Sequence, residues 1–316
     1  MKKLTSSVII PTLGRPQELK KMLLSLLEQG ILPNEVIIVD QSIDNTSELM
    51  VKKMFNNSSE SKSEKIVLKY IHDRNITGAA QARNRGQEEA TSDIVFFFDD
   101  DVFLEPNYIE EVIKIYEKYP YIDGVGGVIT NYSMNFSSKL FHKVFFRGAF
   151  ADKRLSLYVG SNKYHFVELV ETRMMGGGVM SVKREILNKY RFDERLWGYS
   201  FGEDIDFSFR VSERHKLVIS PKAKLYHESL GDKSNVQKHS ERIICFNYYF
   251  FKKNLGKNLV NYSSFVWLCV GISIEAILRL LLKSNNKPLR GLISGYEIIR
   301  NNLRNCDFIN MDLRCY

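Results

Sequence analysis

Between residues 7 and 98, four short apolar runs alternate with stretches of helical spacing. The runs occupy residues 7–10, 36–39, 66–71 and 94–98, and they are rich in β-branched and aromatic side chains. Between the first two, apolar residues recur at Leu19, Met22/Leu23 and Leu26/Leu27, with Pro16 near the start. Further helices are predicted over 46–55 and 81–90, with a polar loop at 56–63. Such alternation builds βαβ units, so the spacing predicts an α/β fold with a doubly wound, mixed and mainly parallel sheet. The runs do not alternate apolar with polar, which suits strands covered on both faces. In open sheets of this kind ligands bind beyond the C-terminal strand ends. That directs attention to Pro11 and Thr12, Asp40, His72 and Asp73, and the row Asp99, Asp100, Asp101.

The fourth run reads IVFFFDDDVF. A turn or a helix N-cap accounts for one Asp. Three in a row after a buried strand repel one another and raise each other's pKa. A divalent cation relieves this, since Mg²⁺ and Mn²⁺ prefer carboxylate oxygen and often share their sites with phosphates. If strand geometry persists past Phe98, Asp99 and Asp101 point to one side and Asp100 to the other.

A second acidic stretch, GEDIDFSFR, begins at Gly202. Asp204 there is either a helix cap or a functional carboxylate on a rigid helix start. Trp197 and its neighbours put aromatics and glycines beside these acids, as core or as a platform for a sugar ring. The residues predict a helix over 205–214 and strand-like runs at 179–182, 217–220 and 223–226. His227 follows the last run, as a hydrogen-bonding residue or as an imidazole ligand beside carboxylates. Residues 131–165 are aromatic and polar with little periodicity, and 241–300 carry long helical patterns.

The chain lacks GxxxxGK[ST], a GxGxxG after its first strand, GxSxG and HExxH. Its four cysteines, at 245, 269, 306 and 315, form no CxxC pair and fit a reducing cytosol. The N-terminal apolar run is too short for a signal-peptide core, so no cleaved leader is expected. Net charge is +8, and residues 252–316 hold ten Lys/Arg against four acids. A basic tail suits an anionic membrane surface or nucleic acid, but no nucleic-acid motif accompanies it. Residues 264–282 approach the length of a membrane span, but Glu275 and Arg279 interrupt them at ion-pair spacing. An amphipathic or buried helix is the expectation there. Leu289, Leu292, Ile293 and Tyr296 then form an apolar face with Lys287, Arg290, Glu297 and Arg300 outside it. That face suits the membrane interface, packing on its own domain, or a second subunit.

Taken together, SVIIPTLGRPQELKKMLLSLLEQ, EVIIVDQSIDNT, NITGAAQARNRG, DIVFFFDDDVFLEPNYIEEV and the stretch from GGGVMSVK to GEDIDFSFRV follow one another in a familiar order. The chain resembles the inverting nucleotide-sugar glycosyltransferases of family 2, with the GT-A fold, over about residues 5–230. The resemblance implies a nucleotide-sugar-binding half (1–125), an acceptor-binding half (126–230) and a C-terminal helical, basic segment (231–316). It implies that Pro11, Thr12, Arg15 and Asp40 line the nucleobase and ribose pocket, with Gly78, Arg83 and Asp100 also at the nucleotide sugar. Asp99 reaches the ribose or the metal, and Asp101 and His227 complete a site for Mn²⁺ or Mg²⁺. The resemblance further implies Asp204 as the general base, with Trp197 and Glu203 positioning the acceptor. Where many members have Asp-Asp-Gly-Ser after the second strand, this chain has Asp40-Gln41-Ser42-Ile43-Asp44. The implied partners are a nucleotide-diphospho-sugar donor, UDP- or dTDP-linked, and a glycan or lipid-linked acceptor of polysaccharide biosynthesis. The implied setting is cytoplasmic, peripheral on the inner face of the cell membrane, with an oligomer permitted. A sugar-phosphate nucleotidyltransferase is the enzymatic alternative. A basic nucleic-acid-binding protein is the non-enzymatic one.

Overall fold

The computed structural model describes residues 3–56, 66–132, 136–151, 168–196, 201–228 and 235–304. Trp197, Cys306, Cys315 and most of the 56–63 loop lie outside the described residues. The chain divides into two compact units. The first joins Met1–Ser133 to Lys153–Ser229, and the second joins Met134–Asp152 to Leu230–Tyr316.

Among the described residues the first unit holds a nine-stranded mixed sheet in the order β3-β2-β1-β4-β8-β6-β9-β5, with β7 also paired to β9. Strands β1 (Ser6–Thr12), β2 (Glu35–Asp40), β3 (Val67–His72) and β4 (Ile94–Phe97) run parallel to one another. Helices α1 (Pro16–Leu27), α2 (Thr46–Asn56) and α3 (Ala79–Glu89) connect them. In β1, Val8 and Ile10 enter one core with Leu19, Met22 and Leu23 of α1. Ile9 between them enters the other core with Ala80 and Ala82 of α3. In β4 the same rule sends Phe96 to the first core and Val95 and Phe97 to the second. With both faces covered there is no polar position to alternate, which explains the continuous apolar runs. Full burial of each such side chain stabilises the fold by about 1.5–3 kcal/mol.

After β4 the pairing changes sense. Short β5 (Val102–Leu104) leads to α4 (Tyr108–Lys118) and β6 (Gly124–Ile129). Then come β7 (Val170–Thr172), β8 (Met180–Lys183), the short α6 (Arg184–Leu187), α7 (Glu203–Ser212) and the long β9 (Leu217–His227). β8 lies antiparallel between β4 and β6, and β9 is parallel to β6. The runs at 217–220 and 223–226 are therefore one strand, carried through Pro221. Its first part pairs with β7 and its last part with β5.

The second unit holds α5 (Phe136–Phe145), a 3-10 turn at Gly148–Phe150, and three long helices. These are α8 (Val236–Asn254), α9 (Leu259–Lys283) and α10 (Lys287–Arg304). Asn235 and Asn258 cap α8 and α9 by accepting from the backbone N–H groups of Lys238 and Asn261. Phe251 of α8 stacks on Phe265 of α9, ring centroids 4.8 Å apart.

Candidate active site

The site builds outward from the strand ends. β4 stops at Phe97, and Asp100 and Asp101 form a turn into β5. Strand geometry thus does not persist through the three acids, yet they still separate. The β5–β9 ladder sets Val102 opposite His227, which carries the imidazole to the neighbouring Asp101. His227 Nε2 lies 2.9 Å from Asp101 Oδ1. Ligand atoms of Asp99, Asp101 and His227 all lie within 4.8 Å of one another. Asp100 instead accepts from the Thr12 hydroxyl at the end of β1, at 2.7 Å. Arg15 Nη1 reaches Asp101 at 3.1 Å and Asp100 at 3.4 Å.

Two titratable groups of the cluster are displaced from their ordinary values. Burial pushes the Asp100 carboxyl up to about 7, aided by repulsion from Asp101 and Asp99 and opposed by Thr12 and Arg15. For His227 burial alone lowers the pKa, but the bond to Asp101 and the nearby Asp99 outweigh it and raise it. Two carboxylates and an imidazole form a hard, oxygen-rich donor set, which fits a Mg²⁺- or Mn²⁺-sized divalent ion.

Arg83 ties this cluster to the second acidic motif. It projects from α3, is buried, and donates through Nη2 to Asp99 and through Nη1 to Glu203, each at 2.7 Å. Its guanidinium also lies 5.5 Å from the Phe192 ring centroid. Its Nε is buried without a partner among the described residues. Burial and the adjacent Asp204 raise the Glu203 carboxyl, with Arg83 opposing the shift. Glycines make room for this packing. A Cβ on Gly178 would stand 2.5 Å from Asp99 Oδ2, and one on Gly177 2.6 Å from Arg83 Nη2.

Asp204 lies in the first turn of α7, which starts at Glu203, two residues earlier than the sequence predicts. It is partly exposed. Oδ2 accepts from the Gly177 N–H at 2.9 Å and Oδ1 from the Ile205 N–H at 2.8 Å. Ser208 of the same helix fixes the facing segment by accepting from the Met175 N–H.

Asp40 sits fully buried at the end of β2. Oδ1 accepts from the Ser42 N–H and hydroxyl, and Oδ2 from the Tyr70 hydroxyl at 2.5 Å. Gly78 caps α3, and its N–H donates to Gln41 Oε1 at 2.7 Å. Pro11 pairs with Val39 inside the β1–β2 ladder. Thr12, Arg15, Arg83, Asp99, Asp100, Asp101, Glu203 and His227 therefore form one connected network. Asp204 adjoins it through Glu203 and Gly177, while Asp40 and Gly78 belong to a neighbouring network around residues 41–42. The sequence reading noted Gln41 and Ser42 only as a departure from the family pattern, assigned them no role, and did not single out Tyr70. Nor did it single out Asn84, whose amide holds Phe192 and Glu194.

The profile of Glycosyl transferase family 2 matches residues 7–191. The chain belongs to glycosyl transferase family 2. This is the family that the sequence motifs resemble. Residues over 75% of this chain are 26% identical to EpsH of Bacillus subtilis (strain 168), which carries a glycosyltransferase name, and cover 64% of its length. A further 39% of the chain is 30% identical to the glucosyl-dolichyl phosphate glucuronosyltransferase of Haloferax volcanii, over 37% of that protein. The chain thus spans less than two thirds of the length of these curated relatives. Its fold is similar to mannosyltransferase PcManGT from Pyrobaculum calidifontis, solved with GDP-Man and Mn²⁺, with a TM-score of 0.57 and 16% identity. That match covers 94% of this chain and 87% of the other. The fold is accordingly GT-A, with a C-terminal helical segment following the catalytic-type unit.

Proposed function

We propose that this family 2 domain is an inverting sugar transferase that uses a nucleotide-diphospho-sugar, with Asp204 as general base. The observation that carries the proposal is the continuity from the Asp99–Asp101–His227 cluster through Arg83 to Glu203 and Asp204. One end is suited to a diphosphate and the other to a hydroxyl, which are the two reactants such a transfer must bring together. The mannosyltransferase of similar fold holds GDP-Man and Mn²⁺, which supports a donor and divalent metal of this kind. UDP- and dTDP-sugars remain the donors proposed here.

A divalent cation held by Asp99, Asp101 and His227 would supply electrostatic stabilisation to the leaving diphosphate. Arg83 and Arg15 keep these acids oriented. Thr12 holds Asp100 away from the cluster. At the other end Asp204 takes the proton of the acceptor hydroxyl as that oxygen bonds to the anomeric carbon. The bond from that carbon to the diphosphate oxygen breaks, its electron pair leaves with the nucleoside diphosphate, and in-line attack inverts the centre. Glu203, fixed by Arg83, and Trp197 position the acceptor. The Haloferax relative is named for a lipid-linked acceptor, which supports a glycan or lipid-linked hydroxyl here, in polysaccharide synthesis on the cytoplasmic side.

Thermal shift against UDP-, GDP- and dTDP-sugars, each with and without Mn²⁺, tests the donor half. Stabilisation by one nucleotide sugar should be largest with the metal present. Equal stabilisation by Mn²⁺ alone and no response to any nucleotide sugar would count against it.

A further inference from the structure

The second unit carries an apolar surface that the transfer chemistry does not use. Helix α9 is 25 residues long and is apolar enough, by length and composition, to cross a membrane. One side is already occupied. Leu268, Gly271, Ile272 and Ala276 are buried. Trp267 Nε1 donates to the Val144 carbonyl, and a Cβ on Gly271 would fall within 2.3 Å of Phe145.

The opposite side is open along its whole length. Tyr262, Val266, Val270, Ile274, Ile277 and Leu281 recur every three or four residues, and their exposure runs from 41% at Val270 to 71% at Leu281. This is a continuous stripe on one helix face, where isolated exposed apolar residues would need no explanation.

We infer that this stripe lies in the plane of an anionic bilayer, as an interfacial helix rather than a span. Two observations select that occupant. First, α9 is pinned between neighbours that pack on each other. α10 approaches α8 so closely that a Cβ on Gly291 would lie 2.1 Å from the Gln237 carbonyl, and one on Gly295 2.3 Å from Ile244. A spanning α9 would therefore draw this packed pair, with Glu241 and Arg242 of α8 and Glu297 and Arg300 of α10, into the hydrocarbon. Second, both ends of α9 are basic: Lys257 precedes it, Lys283 ends it, and Lys287 and Arg290 follow, all exposed. Glu275 within the helix is already paired to Arg279, at 2.6 Å. Either direction of pairing with a second copy sets positive ends against positive ends. An anionic lipid surface is complementary to them, at about 1 kcal/mol per basic residue near the surface. Tyr262 and Trp267, both partly exposed, suit the headgroup level.

The inference concerns the second unit alone and stands whether or not the transfer chemistry is as proposed. Flotation of the full chain with phosphatidylcholine vesicles, with and without phosphatidylglycerol, tests it. The wild type should float with the anionic vesicles, and added salt should weaken binding. A Val270→Asp/Ile277→Asp variant should lose at least tenfold in apparent vesicle affinity. Leu49→Glu, at a more exposed apolar site on α2, should float as the wild type does. Lys287→Glu/Arg290→Glu, which leaves the stripe intact, should lose affinity for the anionic vesicles while its far-UV spectrum and melting stay unchanged. The inference is overturned if the wild type floats with neither vesicle, or if the stripe and basic variants float like the wild type. It is also overturned if the stripe instead holds a dimer in light scattering that binds no vesicle.

Discussion

Arg83 and Glu203, 120 positions apart, meet in a buried ion pair at 2.7 Å. The same guanidinium holds Asp99, so one side chain neutralises acids from both sequence motifs. Removing one partner of such a pair leaves uncompensated charge, which costs about 3–5 kcal/mol. Arg83→Met should lower the free energy of urea unfolding by that order. Arg83→Lys should fall between, because an ammonium cannot serve both carboxylates with a planar fork. A loss under roughly 1 kcal/mol for Arg83→Met would show that the pair contributes little.

Asp100 gives a pH test. Its carboxyl is raised from 3.8 to about 7, chiefly by burial. A carboxyl raised on folding favours the folded state below its unfolded pKa, and that advantage disappears as pH rises through about 7. Metal-free protein should therefore melt lower at pH 8 than at pH 6. Asp100→Asn retains an acceptor for Thr12 and carries no charge. Its advantage over the wild type should widen by about 1.4 kcal/mol between those pH values, the rest of the roughly 4 kcal/mol total being lost between about pH 4 and pH 6. Thermal melts in chelator would show this, and an unchanging gap would contradict it.

Glu35 gives the opposite sign. Burial alone would raise its carboxyl, but bonds from Ser7, Thr91 and Lys69 hold it down at about 2, against an ordinary 4.5. A lowered acid stabilises the fold above its unfolded pKa and loses that contribution as pH falls through its folded one. Wild-type stability should thus drop by up to about 3 kcal/mol between pH 5 and pH 2 on account of this residue. Glu35→Gln should show a flatter acid limb in denaturant titrations. Parallel limbs would exclude the effect.

The sequence disclosed the parallel half of the fold because its signals are local. Strand runs, helix spacing and Pro16 all lie within windows of a dozen residues, and α1 begins and ends where they predict. β5, β6 and β7 escaped because they are short or glycine-rich, and their reason for being strands is their partner β9. The metal-type acids were legible as a row of like charges after an apolar run. Their sorting matched the expected sides although the strand had already ended, because Thr12 draws Asp100 one way and β9 brings His227 to Asp101. The Arg83 bridge had no local signal: its partners lie 16 and 120 residues away. The same holds for the Gly177 N–H on Asp204, although the glycine run itself was visible.

The most direct test of the account is Asp204→Asn, assayed for nucleotide-sugar binding and for sugar transfer with Mn²⁺ on the same preparation. An amide oxygen can still accept from the Gly177 N–H, so fold and donor affinity should stay within about twofold of the wild type. Transfer should fall by about 10²–10⁴-fold, the usual contribution of a positioned base. Near-normal transfer by this variant would contradict the assignment of Asp204 as the base, and with it the central claim.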